Sequence, residues 1–297
     1  MHLERTSPDI YSELKTILKA ENSRSADYSF ANFVMWDKRF KPRSYICGDR
    51  LITLIIRNDE PYFAFPVGTG DIAPAFELMR GYCRENGIPF QLCGVCEEHL
   101  ELIDSAFPDS FTFTGDRDFS DYIHTVGTLS DYPGKHLHSK RNFCHRFEAS
   151  HSWSFVPLTE KLIPDCKKML DEWTAMSADR LTPDIIYERD AIDRGFEMYD
   201  SIGLDGGVLY ADGRLCGWSV GEMISDDTYC VHFEKAFSGI DGAYSMLCRE
   251  SARLALNAHP EIRYVNREDD MGSPALRKSK LSYKPEYILT KYIVSEK

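Results

Sequence analysis

Apolar residues recur along this chain with two periods, and the switches between them predict its elements. Ser7-Pro8-Asp9 reads as a helix start, with serine as N-cap and proline in the first turn, after which Ile10, Leu14, Ile17 and Leu18 fall on one face. Beyond a polar-aromatic segment from Tyr28 to Trp36, the runs Leu51–Ile56 and Tyr62–Phe65, joined at Asn58-Asp59-Glu60, predict a β-hairpin. Phe76, Met79, Tyr82 and Cys83 then return to helical spacing between a capping Asp71 and a terminating Gly87. A short strand at Pro89–Cys93, a helix over Glu97–Phe107 and a strand at Phe111–Phe113 complete this half.

The second half repeats that order. Leu162, Cys166, Met169, Leu170 and Trp173 share a helical face around Pro164, and a second helix spans Tyr187–Tyr199. Strands at Val208–Tyr210 and Leu215–Val220 turn at Asp212-Gly213, and a third, Thr228–Phe233, follows Asp226-Asp227. Then come a helix over Ala243–Ala258, a strand at Ile262–Val265, a helix start at Ser273-Pro274 and a final strand at Tyr287–Val294. Two matching halves without a residue-level repeat imply an α/β fold of the α+β mixed-sheet kind, duplicated. The expected domains are 1–130 and 131–297, joined through Leu129–Lys135, with the active site in the second.

Composition narrows the class. A chain of 297 residues exceeds the roughly 100–200 of one domain. With 43% hydrophobic and 28% charged residues, disorder and fibrous repeats are excluded. No run approaches the ~18–20 apolar residues of a membrane span, and Met1-His2-Leu3-Glu4-Arg5 has no signal core, so a cytoplasmic location is expected. Nine scattered cysteines, among them Cys47, Cys144 and Cys230, read as reduced core residues. The net charge of −12 argues against general affinity for nucleic acid, DNA included, or an anionic membrane, which makes one basic run conspicuous.

That run, Lys135 to Arg146, holds four firm positive charges, three histidines and no acid. As a helix it places His138, Arg141, Asn142 and His145 on one face, with donors suited to phosphate or carboxylate; the alternative is a solvated face paired with acids elsewhere. Asn266-Arg267-Glu268-Asp269-Asp270-Met271-Gly272 directly follows an expected strand and precedes a helix carrying Arg277, Lys278 and Lys280. Such a place suits orienting a substrate, positioning a proton donor or holding a divalent cation, unless its acids pair with the basic segment instead. In the loop Ser238-Gly239-Ile240-Asp241-Gly242-Ala243, backbone amides could take an anion, but Asp241 is a ready N-cap that competes for them. Alternation puts Cys230, His232 and Glu234 on one strand face, where His232 or Glu234 is either an acid/base group or a hydrogen-bonded structural one. Cys93-Gly94-Val95-Cys96 has no matching second pair, no metal site is assigned, and no P-loop, GxSxG or HExxH occurs.

The segment Lys135–Phe147 with its Lys-His-Leu-His-Ser-Lys-Arg-Asn core, together with Asn266–Asp270 and Leu276-Arg277-Lys278-Ser279-Lys280-Leu281-Ser282-Tyr283, resembles the bacterial family similar to the C-terminal domain of phosphatidylglycerol lysyltransferase. The resemblance covers essentially the whole chain. That family is related in fold to the Fem-type aminoacyl-tRNA-dependent transferases, which resemble two tandem GNAT acyltransferase domains. It implies aminoacyl transfer from a charged tRNA to a lipid or peptide amine or hydroxyl, with the C-terminal half holding the donor. The GNAT pyrophosphate loop, Arg/Gln-x-x-Gly-x-Gly/Ala, is matched loosely around Gly239 and Gly242.

The resulting expectation is an acyl- or aminoacyl-transferase. Lys135, His138, Lys140, Arg141, Asn142 and Arg146, with Arg267, Gly239, Gly242, Arg277, Lys278 and Lys280, hold a small anionic donor such as acyl-CoA, or a charged tRNA. Asn266, Glu268, Asp269 and Glu234 act on the reacting groups, and an already activated donor needs no covalent nucleophile. The alternative is a non-catalytic protein that keeps the fold and binds an anionic metabolite.

Overall fold

The computed structural model describes residues 1–6, 8–176 and 183–297. The serine N-cap expected at Ser7 lies outside them. Strand β1 (Glu4–Arg5) leads to helix α1 (Tyr11–Glu21), which buries Leu14 and Leu18 as the spacing predicts. Short helices α2 (Phe30–Met35) and α3 (Asp37–Phe40) precede an antiparallel meander of β2 (Arg43–Cys47), β3 (Arg50–Arg57) and β4 (Glu60–Ala64), with β5 (Val67–Gly68) returning to β3. Helix α4 (Ala73–Asn86) ends at Gly87 in the left-handed conformation, as expected, and β6 (Gln91–Cys96), α5 (Glu97–Ala106), β7 (Phe111–Gly115) and β8 (Asp121–Thr125) follow.

The second half begins with α6 (Val126–Asp131), α7 (His138–Ser150), β9 (Trp153–Pro157), α8 (Ile163–Met176), α9 (Pro183–Glu197) and α10 (Tyr199–Ile202). A second meander, β10 (Asp205–Ala211), β11 (Arg214–Met223) and β12 (Thr228–Ala236), passes into α11 (Ala243–Ala258), β13 (Tyr264–Asn266), α12 (Pro274–Leu281), β14 (Tyr287–Leu289) and β15 (Lys291–Glu296). Among the described residues no helix is long and apolar enough to cross a membrane.

The strands form two mixed sheets, ordered β1-β2-β3-β4-β6-β15-β7 and β14-β8-β13-β12-β11-β10-β9. Each contains one parallel pair linked through a helix, β4 with β6 and β12 with β13, so the duplicated pattern is real. Periodicity did not predict β2, β8 or β9, and Tyr287–Val294 is not one strand but two, β14 at the edge of one sheet and β15 inside the other. The sheets also exchange their last strands: β8 sits between β13 and β14, and β15 between β6 and β7. A cut at residue 130 falls inside α6.

Both helices that link a parallel pair bury an apolar face: Phe76 and Met79 of α4, and Met246, Leu247, Ala252 and Ala255 of α11. At ~25 cal/mol per Å² of apolar surface, each large side chain contributes about 1.5–3 kcal/mol. All nine cysteines are free and only Cys47 is not buried, as a reduced core requires. Burial pushes the Cys93 thiol up to about 12, so the CxxC pair is core rather than reactive.

The parallel pair in the second sheet opens into a wedge. Strands β12 and β13 pair only from Thr228↔Tyr264 to Cys230↔Asn266. Beyond Asn266 the chain stays with β8, where Arg267 N donates to Tyr122 O at 3.0 Å and Tyr122 N to Glu268 O at 3.1 Å, while β12 runs on to Ala236. Opposite the wedge, Val220 pairs with Phe233 and Gly221 with Val231, leaving His232 as an unpaired bulge residue in β12.

Candidate functional site

The wedge gathers charged side chains from four elements. Arg267, from the loop after β13, bonds Glu234 of β12 and lies 4.5 Å from the ring centroid of Tyr283, which follows α12. The ammonium of Lys140, on α7, rests 3.6 Å from the same ring, with no carboxylate partner among the described residues. Burial, joined by the nearby Arg267 guanidinium, pulls the Lys140 ammonium down to about 8. The Arg267 Nη1 is buried without an acceptor, and both ring nitrogens of buried His124 on β8 are unpartnered. Burial, with Arg267 and Lys280, holds His124 well below its ordinary value and therefore neutral.

The loop floor is fastened from beneath. Lys280 of α12 donates to the Arg267 carbonyl at 2.5 Å and to that of Asp269. Asn266 is fully buried and fully used: its Nδ2 donates to Arg24 O at 2.7 Å and Asp121 Oδ2 at 2.9 Å, and its Oδ1 accepts from Glu268 N at 2.6 Å. Asp270, also buried, accepts from Arg277 at 2.7 and 2.9 Å, from Arg117 at 3.2 Å and from Tyr122. Those partners hold its carboxyl at about 2 against the upward push of burial. Asp269 differs: one oxygen accepts from Met271 N at 2.9 Å, and no described side chain donates to its carboxylate. Burial raises it to about 7.

The expected residues therefore divide. Lys140, Arg267 and Glu234 meet at the wedge, while Lys280 bonds the loop backbone beneath it and the Asp269 carboxylate lies in the field of Lys280 and Lys291. Arg141 instead holds the turn before α7, donating to the carbonyls of Tyr132 and of Gly134 (2.6 Å). Asn142 bonds His138 at 3.0 Å within α7, and Lys135 and Lys278 are exposed. Arg277 is clamped between Asp270 and Asp118. Arg146 pairs with Asp241 at 2.6 Å, so the basic helix meets its acid in the glycine loop and not at Glu268–Asp270. The N-cap of α11 is Gly242, not Asp241, and no side chain caps it. Gly239 faces open space, whereas a Cβ on Gly242 (φ +82°) would stand 2.3 Å from Phe143 O. Gly242 thus serves the close approach of α7.

Glu268 belongs to a second, buried network that the sequence did not reveal. Its Oε1 lies 2.8 Å from His232 Nδ1 and accepts from Asn32 Nδ2 at 2.7 Å. The opposite nitrogen of His232 lies 3.3 Å from Glu222 Oε1, and Glu222 also accepts from Ser29 Oγ and from Ala31 N at 3.1 Å. Burial alone would lower the His232 imidazole, but Cys230 and the two flanking carboxylates raise it well above its ordinary value. Glu222, the one acid in the apolar run Leu215–Met223, was the available signal; Ser29 and Asn32 gave none.

The family described as phosphatidylglycerol lysyltransferase, C-terminal, matches residues 19–295. A conserved protein of unknown function from Bacteroides thetaiotaomicron VPI-5482 is 28% identical and superposes with a TM-score of 0.92 over 99% of both chains. L-PGS from Bacillus licheniformis shares the fold at a TM-score of 0.67 and 15% identity, over 98% of this chain and 92% of that one. So does a tandem GNAT protein from the clavulanic acid biosynthesis pathway, at 0.50 and 11%, over 99% and 97%. An uncharacterised protein of Mycoplasmoides gallisepticum is 32% identical over 89 residues; the match spans 29% of this chain and just 27% of that relative. The fold is tandem GNAT-like, and the chain belongs to the family of phosphatidylglycerol lysyltransferase C-terminal domains.

Proposed function

We propose that this chain is a cytoplasmic aminoacyltransferase that takes an activated acyl group from an aminoacyl-tRNA and passes it to an amine or hydroxyl. The observation that carries the reading is a pair of open donors at the wedge: Arg267 Nη1 has no acceptor although its Nη2 bonds Glu234, and Lys140 has an aromatic ring but no acid among the described residues. A buried donor left unpaired costs about 1–3 kcal/mol, which an anionic ligand oxygen would relieve. Family membership supports aminoacyl transfer. Acyl-CoA is the weaker donor, because α7 and the Arg146–Asp241 pair cover the helix N-terminus where a diphosphate would sit.

In this mechanism Lys140 and Arg267 hold the donor's phosphate-bearing end beside Tyr283, while Glu234 fixes the guanidinium plane. The acceptor's nucleophile attacks the ester carbonyl, forming the new acyl bond as the bond to the tRNA ribose oxygen breaks. Asp269, whose carboxylate no described side chain occupies, takes the proton that the nucleophile sheds, and the departing ribose oxygen regains one from solvent. Asn266, Lys280 and Asp270 position this loop without touching substrate. The test is to incubate the purified chain with pools of labelled aminoacyl-tRNA or acetyl-CoA and a cell extract as acceptor. Label should leave aminoacyl-tRNA, with a loss of at least tenfold in Lys140→Ala and in Arg267→Ala. Saturable binding without transfer, or full activity in both variants, would reject the assignment.

A further inference from the structure

We propose that Cys230 Sγ, His232 Nδ1 and Glu268 Oε1 form a binding site for one zinc ion per chain, with Glu222 as the carboxylate behind the histidine. The site is independent of the transferase reading. Its three ligand atoms converge: Cys230 Sγ lies 3.7 Å from His232 Nδ1 and 3.8 Å from Glu268 Oε1, and the latter two are 2.8 Å apart. Zinc bonds of ~2.0 Å to nitrogen and oxygen and ~2.3 Å to sulfur place tetrahedral ligands about 3.3 Å apart between nitrogen and oxygen and about 3.5 Å apart where one is sulfur. The two sulfur distances are already close to that. The third is a hydrogen bond that opens by roughly half an ångström when the metal replaces its proton.

Local structure favours convergence. Cys230 and His232 point to one side of β12, and the bulge at His232 turns its ring toward the loop after β13. Glu268 reaches back because its backbone adopts φ +54°, a left-handed conformation that few glutamates take, secured by Asn266 Oδ1 on its amide. Metal-bound histidines usually pass their other ring proton to a carboxylate, and Glu222, held by Ser29 and Ala31 N, stands 3.3 Å from Nε2. Asn32 donates through Nδ2 to the same Glu268 oxygen, and its Oδ1 is buried without a donor, so the polar capacity around the cluster is not filled. Thiolate, carboxylate and neutral imidazole balance the double charge of zinc, the displaced thiol and imidazole protons passing to solvent.

Cys96, Glu98 and His99 also converge, but His99 is already used on both nitrogens, 2.7 Å from Glu21 and 3.5 Å from the Tyr28 hydroxyl, and Glu98 is exposed. The test uses the full chain purified without chelator, its metal content measured by mass spectrometry. Stripped protein is then titrated with Zn2+ alone and with Co2+ alone. One metal per chain, a thiolate-to-cobalt absorption band and a higher Tm with zinc are expected. Cys230→Ser should abolish the band, Cys230→Ser and Glu268→Gln should each weaken binding at least tenfold, and Cys96→Ser should change nothing. Glu268→Gln keeps the shape of the side chain and decides the matter if Cys230→Ser does not fold. Substoichiometric metal with no Tm shift, a cobalt complex without a thiolate band, or loss of metal in Cys96→Ser would overturn the site, leaving His232 as a protonated bridge between two carboxylates.

Discussion

Lys291→Met tests how the two sheets are fastened together. Lys291 opens β15 and Asp121 opens β8, the two exchanged strands, so their ion pair sits where the chain crosses between sheets. The ammonium is 1% exposed, 2.8 Å from Asp121 Oδ1 and 2.9 Å from Asp27 Oδ1. Burial disfavours its charge, but Asp121, Asp27 and Asp269 raise it well above the ordinary lysine value. Methionine keeps most of the volume and removes the charge, leaving the buried Asp121 carboxylate and the half-exposed Asp27 carboxylate without their cation. Breaking one side of a buried pair costs about 3–5 kcal/mol. At ~2.1 cal/mol/K of unfolding entropy per residue, a cooperative chain of this size would lose about 5–8 °C in Tm. Urea unfolding followed by tryptophan fluorescence and calorimetry measures both quantities. A raised lysine pKa contributes stability that is complete below the unfolded value near 10.5 and is lost only above it, so the deficit should not close as pH rises through neutrality. It should narrow in acid as the stranded carboxylates take up protons. The double variant Lys291→Met/Asp121→Asn should recover part of the loss. A single-variant deficit below ~1 kcal/mol would refute the reasoning and mean that desolvation already cancels the pair.

Lys140→Met should stabilise the chain at pH 7 by roughly 1 kcal/mol while lowering donor turnover, because the fold penalises this ammonium. With the folded value depressed to about 8, that penalty is full below pH 8 and fades toward the unfolded value near 10.5, so the variant's thermal advantage should shrink across that window; a pH-independent difference would contradict it. Gly242→Ala should cost at least about 2 kcal/mol in denaturant unfolding, since its Cβ would meet Phe143 O at 2.3 Å on a left-handed backbone, and a loss under ~0.5 kcal/mol would show that α7 can back away. Ser29→Ala removes the α2 cap to Asn32 N (2.9 Å) and the bond to Glu222, and should cost about 1–2 kcal/mol by the same measurement.

Helices and meanders were legible because each buries one face. Ala243–Ala258 was read to the residue, since a sixteen-residue amphipathic run has one solution. Strand β8 was not, because Asp121-Tyr122-Ile123-His124-Thr125 is buried on four of its five positions, with two polar side chains inside, so it lacks the alternation of a half-exposed strand. The exchange was hidden for a related reason. A single intervening residue, Thr290, lets β14 and β15 read as one strand, and no local pattern records which sheet a strand joins.

Charge density was a fair guide to where the site lies and a poor one to which residues face it. Lys140 and Arg141 are neighbours in the same basic run, but one rests on Tyr283 inside the wedge and the other braces a turn. What separates them is helix phase relative to α11, which the close approach at Gly242 and the Arg249–Glu148 pair help to set. Likewise Asp269 and Asp270 are consecutive, but Asp270 is consumed by Arg277, Arg117 and Tyr122 while Asp269 keeps a free oxygen. In a chain with so many acids, a group's availability follows from the competitors folded against it rather than from its type. The atoms left open after that competition among the described residues, Lys140 Nζ, Arg267 Nη1 and one Asp269 oxygen, are therefore the ones on which a function can rest.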